Sequence, residues 1–184
     1  VEGKMSEVKK VLERLKNQLD ENLTRLDPGG LVGRDGTIIR EECIFNPPSN
    51  IEEISSLEKE LVITIPQDYK DFLLYHDGMT LFKSYLAEFK FFSLDEIREN
   101  FLIVQEDCKE FDLELTINYP IGEFPDVGYI MIDNDKAKKE TSKGAIYVNH
   151  ISPEETNESF VSFVENIIDK TGEFFWEDAN LPEY

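Results

Sequence analysis

The chain holds 184 residues, with 19 Lys and Arg against 39 Asp and Glu, for a formal net charge of −20. A field of that sign repels nucleic-acid phosphates and anionic membranes, which excludes both as direct ligands, and it attracts basic protein partners. Hydrophobic residues at 40% and aromatics at 11% set it apart from a disordered acidic tail and supply enough apolar surface for one domain core.

The first residues, Val1 to Met5, lead into a charged segment without the apolar core of a secretory signal, and no run of about 20 apolar residues follows. Val1 is not an initiator, so translation starts at Met5 or further upstream. Cys43 and Cys108 are the only cysteines and stand far apart, as expected of reduced packing thiols in a cytoplasmic protein.

Val8, Val11, Leu12, Leu15, Leu19, Leu23 and Leu26 recur at three- and four-residue steps. They predict a helix from Ser6 to about Leu26, stopped by Asp27-Pro28-Gly29-Gly30. Its stripe suits packing on its own domain, with a coiled-coil seam as the alternative. Residues 29–40 read as turns and a ribbon, and Thr37–Ile39 and Cys43–Phe45 read as short strands. Pro47-Pro48 marks the boundary between an extension, 1–48, packed on the main domain, 49–172, and an acidic tail, 173–184.

Ser49 and Asn50 each precede a glutamate by three residues, Glu52 and Glu53, which is capping-box spacing for a helix bearing Ile51, Ile54, Leu57 and Leu61. Pro66 suits the first turn of the next helix, where Tyr69, Phe72, Leu73 and His76 share a face and Gly78 ends it. Strands are expected at Met79–Tyr85 and Glu88–Phe92. Ser93 with Glu96 then opens a helix carrying Leu94, Ile97, Phe101 and Cys108. Leu115–Tyr119, Tyr129–Ile132 and Ala145–Asn149 read as strands of one meander. A last helix carries Phe160, Phe163, Val164, Ile167 and Ile168 and ends near Gly172, before Phe174-Phe175-Trp176 and a polar tail. This order is α+β, a mixed and mostly antiparallel sheet flanked by helices, and not alternating βαβ.

Leu57-Glu58, Leu61, Ile63, Ile65-Pro66, Asp68-Tyr69, Phe72-Leu73 and Asp77-Gly78 resemble the opening signature of the SUKH superfamily, which includes the SMI/KNR-type regulators of yeast cell-wall synthesis. Phe91–Leu94, Gly128–Asp133, Gly144–Val148 and Ser162–Val164 resemble its later segments, so the likeness spans roughly Ile51 to Ile168. Ile65 stands for the usual Leu, His76-Asp77-Gly78-Met79 replaces Asn-Gly-Gly, and the N-terminal helix and ribbon lie outside the pattern. Read physically, Leu57 and Leu61 face Tyr69, Phe72 and Leu73 across a corner at Ile65-Pro66, Tyr69 needs a hydroxyl partner if buried, and Gly78 permits positive φ. The resemblance implies a non-catalytic protein-binding module. Bacterial members act as immunity proteins that neutralise toxins, often nucleases, whereas the yeast members suggest a regulatory scaffold for cell-wall synthesis or signalling.

Other motifs add little chemistry. Asp133-Asn134-Asp135 opens like a calcium loop, but Ala137, Lys138 and Gly144 occupy its fifth, sixth and twelfth positions, so a capped turn is expected, with no metal or cofactor. The stretch Gly29–Gly33 lacks the Lys-Ser/Thr of a phosphate cradle. His76 and His150 read as structural, and a small hydrolase using one of them with a carboxylate is a third functional class. The acids are more informative. Glu106, Asp107, Glu110, Asp112 and Glu114 crowd the end of the middle helix, while Glu123 and Asp126 flank Phe124 in what reads as a Pro- and Gly-containing loop. An exposed aromatic ringed by acids makes a binding hot spot. Glu123, Phe124 and Asp126, with Glu106, Asp107, Glu110 and Asp112, are therefore the candidate contacts for a basic toxin, reached by electrostatic steering and blocked by occlusion.

Overall fold

The computed structural model describes residues 6–24, 42–83, 88–113, 117–124, 127–169 and 175. In chain order the elements are α1 (Glu7–Thr24), β1 (Glu42–Phe45), α2 (Ile51–Leu61), α3 (Gln67–Leu73), β2 (Met79–Lys83), β3 (Phe89–Phe91), α4 (Leu94–Glu110), β4 (Tyr119–Phe124), β5 (Gly128–Ile132), β6 (Ile146–Val148), β7 (Glu154–Glu155) and α5 (Phe160–Asp169). The seven strands form one sheet in sequence order, and every pair is antiparallel. The fold is α+β. The expected strand at Thr37–Ile39, the helix end near Gly172 and nearly all of the acidic tail lie outside the described residues.

Local chemistry explains most element boundaries. Asn50, and not Ser49, caps α2: its Oδ1 accepts from Glu53 N–H at 2.9 Å while Glu53 Oε2 accepts from Asn50 N–H. Ser49 instead donates its hydroxyl to the Leu73 carbonyl. Ser93 and Glu96 close the same reciprocal box at the start of α4. Between α2 and α3 the chain turns through Val62, a left-handed residue with φ 57°. Glu58 then ties the corner: Oε1 accepts from Ile65 N–H at 2.9 Å and Oε2 from Lys70 Nζ at 2.8 Å. Gly78 has φ +88°, and a Cβ there would stand 2.8 Å from Ser93 N and 2.9 Å from Phe91 O.

The sheet has two differently covered faces, because side chains alternate along each strand. Ile130, Ile132, Ile146 and Val148 point into the main core, together with Leu81, Phe89 and Phe91. Leu57, Tyr69, Phe72 and Leu73 are fully buried there, and Leu61 packs at the edge. Phe160 is the aromatic hub, with its ring 4.7 Å from Tyr69, 5.0 Å from Phe72 and 5.6 Å from Phe91. The hydroxyl partner expected for Tyr69 is not found among the described residues: its oxygen is buried and unpaired. Helix α1 packs on α3 and α5 through Val8, Val11, Leu12 and Leu15, each worth about 1.5–3 kcal/mol of burial. Its cations add a polar seam, with Lys16 Nζ 2.8 Å from Tyr75 Oη and 2.9 Å from His76 Nε2, and Arg14 3.0 Å from Asp169.

One strand is displaced from its expected place. The expected strand Leu115–Tyr119 shares only Tyr119 with the strand found: β4 is Tyr119–Phe124, with Ile117 exposed ahead of it and Leu115 and Thr116 outside the described residues. Pro120 and Gly122 conceal the strand in the sequence, and the register shift between them shows how the sheet accommodates both. A Cβ at Gly122 would meet the Lys90 carbonyl at 2.3 Å, so the close approach of β3 and β4 requires glycine. Glu123 and Phe124 accordingly lie on a strand and not in a loop.

Candidate functional site

The second face of the sheet is built around α4. Lys90 pairs with Glu123 across β3 and β4, and Glu123 pairs with Tyr129 across β4 and β5, so the three side chains form one row. Helix α4 lies over this face and is pinned by three polar contacts along its flank. Lys90 Nζ meets Glu96 at 2.6 Å, Tyr129 Oη donates to Asn100 Oδ1 at 2.8 Å, and His150 Nε2 meets Asp107 Oδ2 at 2.9 Å. Val104 and Cys108 close an apolar patch on Met131 beside Tyr129 and Tyr147. On helical spacing Ile103 shares the Asn100 and Asp107 side of α4, and it is 44% exposed.

Beside α4 the surface opens into a cleft of about 390 Å³, walled by Glu88, Glu123, Tyr129, His150 and Ile151. A second hollow, of about 270 Å³, lies across His150 and Ile151, between Tyr147, Asn118, Lys136 and Glu155. Burial raises the Tyr129 phenol above its ordinary pKa, and the charges of Glu123 and Asp107 add to the effect. Those two acids, 16 positions apart in sequence, therefore act on the same ring. The Lys90 ammonium is also raised, first by its bond to Glu96 and further by Glu123 and Glu88. Burial pushes the Tyr147 phenol up to about 12.

The matching family profile is that of the SMI1 / KNR4 family (SUKH-1), over residues 48–168, a segment that contains every residue of the cleft. The chain belongs to the SMI1/KNR4 family. Similar proteins include two from Bacillus subtilis (strain 168), both described only as uncharacterized. YobM is 28% identical over 179 residues, covering 92% of this chain and 91% of its own, and YnaB is 31% identical over 145 residues, covering 76% and 91%. Helix α1 and strand β1 precede the segment that matches the SMI1/KNR4 profile, yet they pack on the family core and pair with β2.

Against this SMI1/KNR4 frame the candidate contacts divide. Glu123 is exposed and lines the cleft, and Asp107 is held against it through His150. Glu106 and Glu110 are exposed on α4, and Asp112 follows its end with φ 55°. None of these three lines either hollow. Asp126 and Glu114 lie outside the described residues. Phe124 also lines the cleft, but it is not an exposed aromatic: it is 8% exposed, with its ring 4.1 Å from Phe89, because strand alternation turns it toward the core when Glu123 faces out. The aromatic that does flank Glu123 is Tyr129, its cross-strand partner. On sequence, His150 reads as structural and neither Tyr129 nor Glu88 carries a site role, because Tyr129 meets Glu123 only by cross-strand pairing and His150 meets Asp107 only across 43 residues.

The histidines and cysteines are committed to packing and hydrogen bonds. His76 bonds the Asn46 carbonyl through Nδ1 at 2.7 Å and Lys16 through Nε2, against α1. Cys108 lines the second hollow with His150, but burial, followed by the Asp107 charge, raises its thiol above the ordinary value. A nucleophilic cysteine needs the opposite shift. Asp133 forms a capped turn, with Oδ1 accepting from Asp135 and Lys136 N–H at 3.0 and 3.1 Å. Among the described residues no three His, Cys, Asp or Glu side chains gather in a metal-binding cluster, and no helix is long and apolar enough to cross a membrane.

Proposed function

We propose that the chain is a non-catalytic binding module that neutralises a basic, nuclease-type toxin, first steering it electrostatically and then covering its substrate-binding face. The observation that carries this reading is the cleft beside Tyr129, where Glu88 and Glu123 line a hollow on a surface whose net charge is −20. The immunity role implied by the family resemblance supplies the partner class, and the charge supplies the means. A nuclease must present cations to phosphate, and an anionic surface of fixed shape competes for the same groups. Long-range attraction speeds encounter, and the three contacts that pin α4 reduce the ordering cost of docking.

Co-expression with a toxin encoded beside this chain, followed by pull-down, tests the proposal. A complex is expected at low salt, with an association rate that falls steeply as salt rises. Reversing one cleft charge, Glu123→Lys, should slow association by about tenfold with little effect on folding. Absence of any complex at low salt with a linked toxin would refute the reading.

A further inference from the structure

The cleft contains more than acidic charge; it presents unmet hydrogen-bonding and charge-pairing capacity of a particular shape. The Glu123 carboxylate forms no ion pair among the described residues, and Glu88 approaches only Lys83, at 3.9 Å. Lys90, whose ammonium feels both acids, is already held by Glu96 at 2.6 Å. Because Lys90 is the register partner of Glu123, Glu88 is the diagonal neighbour of Glu123 on the same face, a relation that spaces residues about 7–8 Å apart and their Cβ atoms somewhat less. That separation leaves room for one cationic group between the two carboxylates.

The cleft wall carries a second, independent unsatisfied group. The His150 side chain is only 9% exposed, and its Nε2 faces the Asp107 carboxylate, which can only accept. Nε2 is therefore the donor in that contact, and Nδ1 is an acceptor whenever the ring carries a single proton. That Nδ1 is buried and has no partner among the described residues. The Tyr129 ring lies 5.1 Å from the imidazole and offers a π face at the same wall. The complementary ligand is flat, permanently cationic and rich in N–H donors, which describes a guanidinium better than a compact ammonium.

We infer that this cleft receives an arginine side chain from a basic protein partner, its guanidinium held between Glu88 and Glu123 against Tyr129, with His150 Nδ1 as a further acceptor. The inference rests on the protein-binding role proposed above and names the residue that docks. Ile151, 40% exposed at the rim, offers apolar contact to residues flanking that arginine.

The test is titration of the isotope-labelled full chain, followed by amide shifts, with the blocked peptide Gly-Arg-Gly and its citrulline and lysine counterparts. The arginine peptide should give saturable shifts at Glu123, Tyr129 and His150, and the neutral citrulline peptide should give none. The lysine peptide should bind at least about threefold more weakly, and the double variant Glu88→Gln/Glu123→Gln should weaken arginine binding by at least about fivefold. Arginine shifts scattered over the whole acidic surface without saturation, or equal binding of citrulline, would overturn the inference, and equal binding of lysine would overturn the choice of arginine. A toxin that binds wild type and the double variant equally well would place the partner elsewhere and sink the inference while the binding role stands. If no toxin binds but the arginine peptide still fills the cleft, the neutralising role fails and the ligand class stands.

Discussion

Replacing Ser142 with alanine removes a hydroxyl that joins three distant parts of the chain. Ser142 is the buried polar side chain among the described residues, with no exposed surface. Its Oγ donates to Asp68 Oδ2 at 2.5 Å and accepts the Phe160 N–H at 2.6 Å, while its own N–H donates to Asp68 Oδ1 at 3.0 Å. In the variant the first N–H of α5 is buried without an acceptor, at a cost of about 1–3 kcal/mol, and a bond to a carboxylate worth about 1.5–3 kcal/mol is lost. Asp68 keeps two backbone donors, Ser142 and Tyr69, which softens the second loss. The expected destabilisation is about 3 kcal/mol, or about 6–12 °C in Tm for a chain of this size. Urea melts followed by circular dichroism measure the loss directly, and a double-mutant cycle with Asp68→Asn should show coupling above about 0.5 kcal/mol. A loss below about 1 kcal/mol, or strict additivity, would refute this account of the junction.

Three further changes follow from described geometry. Tyr69→Phe removes a buried hydroxyl without a partner and keeps the ring contacts, so stability should be unchanged or rise by about 1 kcal/mol; a fall of that size in thermal melts would mean the hydroxyl is bonded. Val62→Gly relieves a β-branched residue at φ 57° whose side chain is 74% exposed, and should stabilise by about 0.5–1 kcal/mol in urea melts, whereas a loss would show that the left-handed cap carries no strain. Burial holds His76 below its ordinary pKa of 6.5, and Lys16 acts in the same direction, against the Asn46 carbonyl and Glu13, which raise it. With the folded pKa depressed, the unfolded chain takes up the proton first. This contribution is therefore complete above the ordinary histidine value and is lost as pH falls through the histidine range to the folded value. Urea midpoints from about pH 7.5 to about pH 5 should show that decline, and His76→Gln should remove the histidine part of it; an unchanged slope in the variant would refute the linkage.

What was readable in the sequence was mostly local. The boxes Asn50–Glu53 and Ser93–Glu96 depend on a three-residue spacing, and both form. The choice of Asn50 over Ser49 was not readable, because the Ser49 hydroxyl is drawn off by the Leu73 carbonyl, 24 residues away. Glu58 stood in the family signature, but its bonds to Ile65 and Lys70 exist only once the corner has closed. Ser142 gave no local signal at all, since its partners lie 74 and 18 residues off. At the cleft, Glu123 was found by its charge, but its setting was misread: Pro120 and Gly122 looked like loop residues, which turned a strand into a loop and an inward Phe124 into an outward one. The pairing of Asp107 with His150 spans 43 residues and follows from tertiary packing alone.

The last strand of the described sheet, β7, consists of two glutamates, paired with Tyr147 and Val148, and Glu155 is tethered to Lys136 at 2.5 Å. A stub this short and this negative is a poor template for a foreign strand, so copies of the chain are discouraged from zipping edge to edge into fibrils when crowded. The same bluntness deprives a binding partner of main-chain hydrogen bonds at that rim. Recognition there falls to side chains, and selectivity between rival partners can drift by single substitutions without disturbing the backbone.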